Sequence, residues 1–249
     1  MKKIFLSIAL LCAASWVAPT VATAQNLVPI PLKMASAQGQ PLVWQNVGQI
    51  NCPDELANEK AHLLRILADR AGITTLNDNG TAQITLSIDT SLNDDEAYTL
   101  SIDENGVNIA GKTAAGVFYG IMTMEQLMID DNASARCIET NPITIEDAPR
   151  THVRELMVDP CRIFVPYERL KEIVPEMARY KLNSIHLHLV DDQAWRIEIK
   201  KVSATYREKH LACGHGRHAD THFGLLHTRA DEGFRQVLCT ISCYGCARN

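Results

Sequence analysis

Charged groups follow two apolar runs of this chain. Glu155-Leu-Met-Val158 leads into Asp159 and Arg162, and Ser184-Ile-His-Leu-His-Leu-Val190 leads into Asp191-Asp192. A guanidinium among carboxylates can neutralise them as a structural ion pair, or present several fixed N–H donors to neighbouring oxygens of a ligand. The adjacent Asp191 and Asp192 repel one another, so a partly buried cleft could keep both ionised only with donors or a cation nearby. A solvated turn is the simpler role for such a pair. His186 and His188 sit two residues apart on one face of the second run. That spacing permits metal ligation, but no third ligand accompanies them, and lining a sheet or barrel suits them better. Asp231-Glu232 is a further carboxylate pair, but no apolar strand leads into it.

The elements that would position these groups read strand, helix, strand. Charge gathered just past each strand's end is the pattern of a parallel α/β sheet, whose chemistry sits at the carboxyl ends of the strands. The connecting helix starts after Pro166, with Leu170, Ile173, Val174, Met177 and Tyr180 as its apolar stripe. Pro175 lies within that stripe and should kink it, because it lacks an N–H and clashes with the preceding turn.

Upstream, the pattern is α+β. After the extended Val28-Pro-Ile-Pro31, Asp54 reads as the N-cap of a helix. Its face carries Leu56, Leu63, Leu64, Leu67 and Ala71, and Gly72 closes it. Ala82–Ile88 alternates as a strand with one buried face. Ala97–Ile102 and Gly106–Ala110 read as two more strands, joined by a turn through Asp103-Glu-Asn-Gly106. Ala114–Met128 reads as a second amphipathic helix, whose Gly116 and Gly120 would let it lie close on a sheet. Asp147-Ala-Pro149 looks like a linker.

Residues 1–24 resemble an export leader rather than part of the fold. Lys2 and Lys3 precede an apolar stretch, and Ala22-Thr-Ala24 supplies the small-x-small cleavage pattern. Ser7, Ser15, Pro19 and Thr20 break the stretch too often for a spanning helix, and no other segment is long and apolar enough to cross a bilayer. Removing the leader takes away two lysines and no acids, moving the net charge from −5 to −7. An acidic chain is a poor partner for nucleic acid or an anionic membrane. Composition changes near residue 201. Five of the nine histidines and four of the eight cysteines fall between residues 202 and 249.

Taken together, Arg154-x-Leu-Met-x-Asp159-x-x-Arg162, Tyr180-Lys-Leu-Asn183 and His186-Leu-His-Leu-x-Asp-Asp-Gln193-x-Trp-Arg-Ile-Glu-Ile199 resemble the start of the catalytic barrel of family 20 glycoside hydrolases, the β-N-acetylhexosaminidases. Glu96-Ala-Tyr-Thr-Leu, Gly106-Val-x-Ile and Ala115-Gly-Val-Phe-Tyr-Gly-Ile-Met-Thr-Met-Glu-Gln-Leu127 resemble that family's non-catalytic N-terminal domain. The resemblance runs from about residue 27 to 201, with both domains in order. It implies an α+β domain over 25–148 and the first β-α-β unit of a TIM barrel over 149–201. It also implies hydrolysis of terminal N-acetylglucosamine or N-acetylgalactosamine from amino-sugar glycans, with no metal or other cofactor. Arg162 takes the place of the arginine that holds the sugar's outer hydroxyls. Asp191 takes that of the aspartate orienting a histidine behind the catalytic Glu, while Asp159 and Asp192 brace their loops and Trp195 belongs to the core. Glu155, Pro160-Cys161 and Pro175 depart from the family's usual residues.

The catalytic Asp-Glu pair of this family belongs to the fourth barrel strand, and a barrel takes roughly 250 residues. From Arg150 to Asn249 there are 100. The expectation is therefore an incomplete barrel and an inactive chain. The stretch 202–249 has no clear periodicity. His218-x3-His222 and Cys239-x3-Cys243-x2-Cys246 have near-zinc spacing. The codons compatible with Lys201–Lys209, read one base later, can instead spell Lys-Tyr-Pro-Gln-Leu-Thr-Glu-Lys. In the family, Lys-Tyr-Pro-x-Leu-Thr usually comes directly after Trp-Arg-Ile-Glu-Ile-Lys, which favours an out-of-frame tail over a metal site. Two other readings stand beside the enzyme: a secreted non-catalytic module that binds carbohydrate or a partner, and a metal binder built on the tail.

Overall fold

A computed structural model describes residues 27–129, 136–191, 194–196 and 238–242. The expected leader, Asp192 and the zinc-spaced residues of the tail, apart from the backbone of Cys239, lie outside these residues.

Strands β1 (Lys33–Ser36), β3 (Val47–Asn51), β4 (Ala82–Ile88), β5 (Tyr98–Asp103), β6 (Gly106–Gly111) and β8 (Ile143–Asp147) form one mixed sheet in the order β1-β8-β5-β6-β4-β3. A small ribbon of β2 (Leu42–Val43) and β7 (Glu139–Thr140) stands beside it. β5 and β6 are the antiparallel hairpin that the turn chemistry predicts, with Asn105 N–H bonded to Asp103 Oδ1 at 2.8 Å. β4 covers the residues its alternation foretold, and burying Ala82, Ile84 and Leu86 gives it a dry face.

Helices α1 (Ala57–Ile66) and α2 (Ala114–Leu127) complete this domain. Asp54 is not a cap. It opens a short 3₁₀ turn, Asp54–Leu56, preceded by Pro53, whose φ of −64° already suits a helix start. Leu64 lies outside the buried face at 40% exposure. α1 runs on into a π-helical turn, Leu67–Ala71, and Gly72 closes that turn at φ 71°, with the Gly72 and Ile73 N–H groups bonded to the Ala68 and Leu67 carbonyls. α2 is not amphipathic as expected. Ten of its fourteen residues are buried, because the sheet covers one side while α1 and the later helix cover others. Its close approach rests on two glycines. A Cβ at Gly116 would meet Ala97 O at 2.3 Å, and one at Gly120 would meet Ile109 Cγ2 at 2.5 Å.

The second region begins with β9 (Glu155–Val158), α3 (Tyr167–Arg179) and β10 (Ser184–His188). β9 and β10 pair in parallel with Ser184 opposite Glu155, which confirms the β-α-β reading. Leu170, Val174 and Met177 of α3 cover Ile185, Leu187 and Leu189, whereas Tyr180 is 45% exposed and stands off the stripe. α3 runs through Pro175 without a break. Pro175 and Lys171, four residues earlier, are both exposed, so water can serve the carbonyl that lost its donor. A short ribbon, β11 (Val190–Asp191) with β12 (Ala194–Trp195), follows β10. β13 (Leu238–Ser242) lies parallel beside β10, a strand that the tail's own pattern does not predict. The open edge of β10 offers unpaired N–H and C=O groups to any short extended run such as Leu-Cys-Thr-Ile-Ser.

Asp147 is no loose linker. It ends β8, and its Oδ2 accepts 2.7 Å from Lys181 Nζ, in a pair with only 9% and 7% side-chain exposure. A buried ion pair holds only when its remaining bonds are met, and Tyr98 supplies them. Its hydroxyl accepts from Lys181 Nζ at 2.7 Å and bonds to Asp147 Oδ2 and Thr123 Oγ1. Nearby, Glu125 receives Arg70 from its own domain and Arg179 from α3.

Candidate functional site: the carboxyl ends of the first two parallel strands

β9 and β10 deliver the residues after them to one place. Asp159 Oδ1 accepts the Arg162 N–H at 3.0 Å and closes a tight turn directly after β9. The Arg162 guanidinium then reaches both aspartates at once. Nη1 bonds to Asp159 Oδ2, and Nη2 donates to Asp191 Oδ2 at 2.6 Å. Ties between the two loops hold this geometry. Cys161 N–H bonds to the His188 carbonyl at 3.2 Å, and Arg196 donates from its backbone to Leu189 O and from Nε to Pro160 O. The Arg196 guanidinium also stacks 5.4 Å over the Phe164 ring.

The sequence pattern singles out Arg162, Asp159 and Asp191, and all three meet. It makes His188 only a lining residue. His188 Nε2 stands 2.9 Å from Asp191 Oδ2, within hydrogen-bond reach. The signal was available, because a histidine at a strand's end, three residues before an aspartate, can fold back onto it. His186 instead faces Glu155, 3.3 Å away. Among the described residues no group of His, Cys, Asp and Glu is placed to hold a metal ion.

The cluster is electrostatically matched. Burial resists ionisation of Asp159, but hydrogen bonds from the Arg162 side chain and backbone outweigh it and hold its carboxyl below the usual range. The hydrogen bond to Asp159, and after it the charge of Asp191, raises the Arg162 guanidinium above its usual value. Arg162 nevertheless keeps 52% side-chain exposure. Its side chain can therefore still be reached from solvent at the strand ends.

A cavity of about 190 Å³ lies elsewhere, at the opposite ends of these strands and against the first domain, lined by Glu96, Tyr98, Tyr119, Asp147, Arg154 and Lys181 among others. Two ion pairs line it, Lys181 with Asp147, and Arg154 with its Nη2 2.6 Å from Glu96 Oε2. The strand-end cluster, with a cation partly open to solvent, is the better candidate site.

The sequence profile "Glycosyl hydrolase family 20, domain 2" matches residues 24–148, and "Glycosyl hydrolase family 20, catalytic domain" matches residues 152–232. The chain belongs to glycosyl hydrolase family 20. The catalytic-domain match extends past residue 201, where the motif resemblance stops. The chain is 34% identical over 185 residues to a β-hexosaminidase of Porphyromonas gingivalis, covering 71% of this chain and 24% of that protein. It is 38% identical over 125 residues to a β-hexosaminidase of Vibrio furnissii, covering 50% and 20%. Among solved structures, it superposes on the Vibrio harveyi family 20 exo-β-N-acetylglucosaminidase in complex with N-acetylglucosamine with a TM-score of 0.60 and 30% identity, over 71% of this chain and 27% of that one. The Streptomyces plicatus N-acetyl-β-hexosaminidase matches with a TM-score of 0.61 and 32% identity, over 71% and 36%. The chain thus spans about a quarter of the length of the curated relatives it matches. Its architecture is the family's N-terminal α+β domain and, after it, the opening of a TIM barrel.

Proposed function

We propose that this chain is the sugar-positioning part of an exported β-N-acetylhexosaminidase, which removes terminal non-reducing N-acetylglucosamine or N-acetylgalactosamine with retention. The observation that carries the reading is Arg162, held between Asp159 and Asp191 at the ends of the first two barrel strands, with half of its side chain still exposed. In that reaction the sugar's acetamido oxygen attacks the anomeric carbon as the glycosidic bond breaks, giving an oxazolinium ion. A Glu protonates the departing oxygen, its neighbouring Asp steadies the acetamido group, and water then opens the ring. An internal nucleophile already in place is worth effective molarities on the order of 10⁵–10⁸ M. Arg162 binds vicinal hydroxyls of the sugar. Asp191 with His188 keeps that guanidinium in place, and Asp159 holds the turn. The Glu and its Asp come from a fourth barrel strand, so the 249 residues by themselves bind sugar without hydrolysing it. The leader over residues 1–24 directs the chain out of the cytoplasm.

Two measurements on the purified chain test this. N-acetylglucosamine is expected to shift the side-chain NMR resonances of Arg162, and Arg162→Ala to abolish the response. A chromogenic N-acetylglucosaminide is expected to remain uncleaved. Turnover would overturn the assignment of the acid to another strand. Sugar-induced shifts confined to residues 27–148 would favour a carbohydrate-binding module instead.

A further inference from the structure

The Tyr180-Lys-Leu-Asn183 motif has no part in the strand-end cluster, yet it gathers the densest polar contacts between the two regions. Asn183 and Arg154 are the residues immediately before β10 and β9, whose first paired residues are Ser184 and Glu155. They brace each other. Arg154 N–H bonds to Asn183 Oδ1 at 3.0 Å, Asn183 and Ser184 N–H groups both bond to Arg154 O, and Arg154 Nε donates to Lys181 O at 2.6 Å. Both side chains then converge on one carboxylate of the first domain. Arg154 Nη2 lies 2.6 Å from Glu96 Oε2, and Asn183 Nδ2 donates to Glu96 Oε1 at 3.3 Å. Lys181 enters the same domain between Tyr98 and Asp147, and Gln126 Nε2 of α2 donates to Arg179 O at 2.7 Å.

Among the described residues, six buried apolar side chains hold the β9–α3–β10 unit together from within, against twenty-eight in the first domain's core. An isolated unit of that kind is at best marginal, and a one-residue slip between its strands would turn every side chain to the other face. From this we infer that the N-terminal domain is a register template for the barrel. Glu96 receives the starts of β9 and β10 together and sets which residues pair, while Lys181, buried against Asp147, locks the turn between α3 and β10. Each of these grips is at the amino-terminal ends of the strands, so the carboxyl ends with Arg162 and Asp191 stay open. The template role does not depend on whether those ends bind sugar.

Hydrogen exchange on the full chain tests the inference. Glu96→Ala combined with Lys181→Met is expected to cut amide protection in residues 155–158, 167–179 and 184–188 by roughly 100-fold, the scale of losing buried charge partners. Protection in 82–88 and 98–111 should stay within roughly threefold. The milder Glu96→Gln, which keeps the shape but not the charge, should give an intermediate loss in the same residues and can be read even if the double variant unfolds. Lys33→Ala, which breaks the exposed pair with Glu146, is the control and should change neither region. Undiminished protection of 155–188 in the double variant would show that the unit stands alone. An equal loss in both regions of Glu96→Gln would show general destabilisation. Either result overturns the template.

Discussion

The two ends of the β9–α3–β10 unit use similar charged groups to opposite purpose. At the amino-terminal ends, Lys181 and Asp147 are nearly sealed, at 7% and 9% side-chain exposure, and Tyr98 completes their bonds. At the carboxyl ends, Arg162 binds two aspartates yet remains half open. A sealed pair is committed to structure, because nothing can enter without leaving a buried charge alone. An open pair costs little to hold and keeps donors available. Burial therefore separates the structural charges of this chain from the candidate functional ones more cleanly than residue type does.

The sharpest way to break that contrast is Asp147→Asn. It leaves Lys181 charged in a sealed site and should cost about 3–5 kcal/mol, read by denaturant unfolding. A loss no larger than that of a surface variant would mean that the sealed end is not structural.

A smaller, pH-dependent effect should come from the same cluster. Burial pulls the Lys181 amine below 10.5, and the charge of Asp147 only partly restores it. Between the folded value and 10.5 the unfolded chain binds more protons, so stability should rise with pH across that window. Tyr98 acts the other way. Burial first, then the charge of Asp147, holds its phenol well above 10.0. Its contribution is complete below pH 10.0 and is lost as pH rises through the folded value. The stability curve should climb and then fall, Lys181→Met removing the climb and Tyr98→Phe the fall. A curve of the same shape in both variants would assign the alkaline behaviour to other groups.

At the open end the expected change is least. Arg162→Ala should leave the thermal midpoint where it is while removing the response to sugar. A large drop in the midpoint would make Arg162 a structural residue and dissolve the contrast.

Much of this was legible where the code is local. β4 came from strict alternation, the β5–β6 hairpin from Asp103-Glu-Asn-Gly106, and α3 from its apolar stripe after Pro166. Arg162, Asp159 and Asp191 were legible because each lies just beyond an apolar run. The junction was not. Lys181 meets partners 34 and 83 positions away, and Asn183 meets Glu96 across 87, distances at which composition and periodicity carry no information. For the same reason Asp147 read as a linker, and α2 as an amphipathic helix although neighbours cover most of it. β13 escaped notice because its pairing depends on an open edge elsewhere, not on its own pattern.

Lys181 adopts φ 59°, a left-handed conformation that costs a residue with a Cβ about 1–2 kcal/mol. Glycine or asparagine would take it more easily, but neither could reach Asp147 and Tyr98. The turn between α3 and β10 is therefore locally disfavoured until its amine finds those partners. Seating that amine against Tyr98 and Asp147 offsets the cost, so the conformation of the turn is supported from the first domain. Through that one side chain, the entry into the barrel's second strand is aimed by residues 98 and 147.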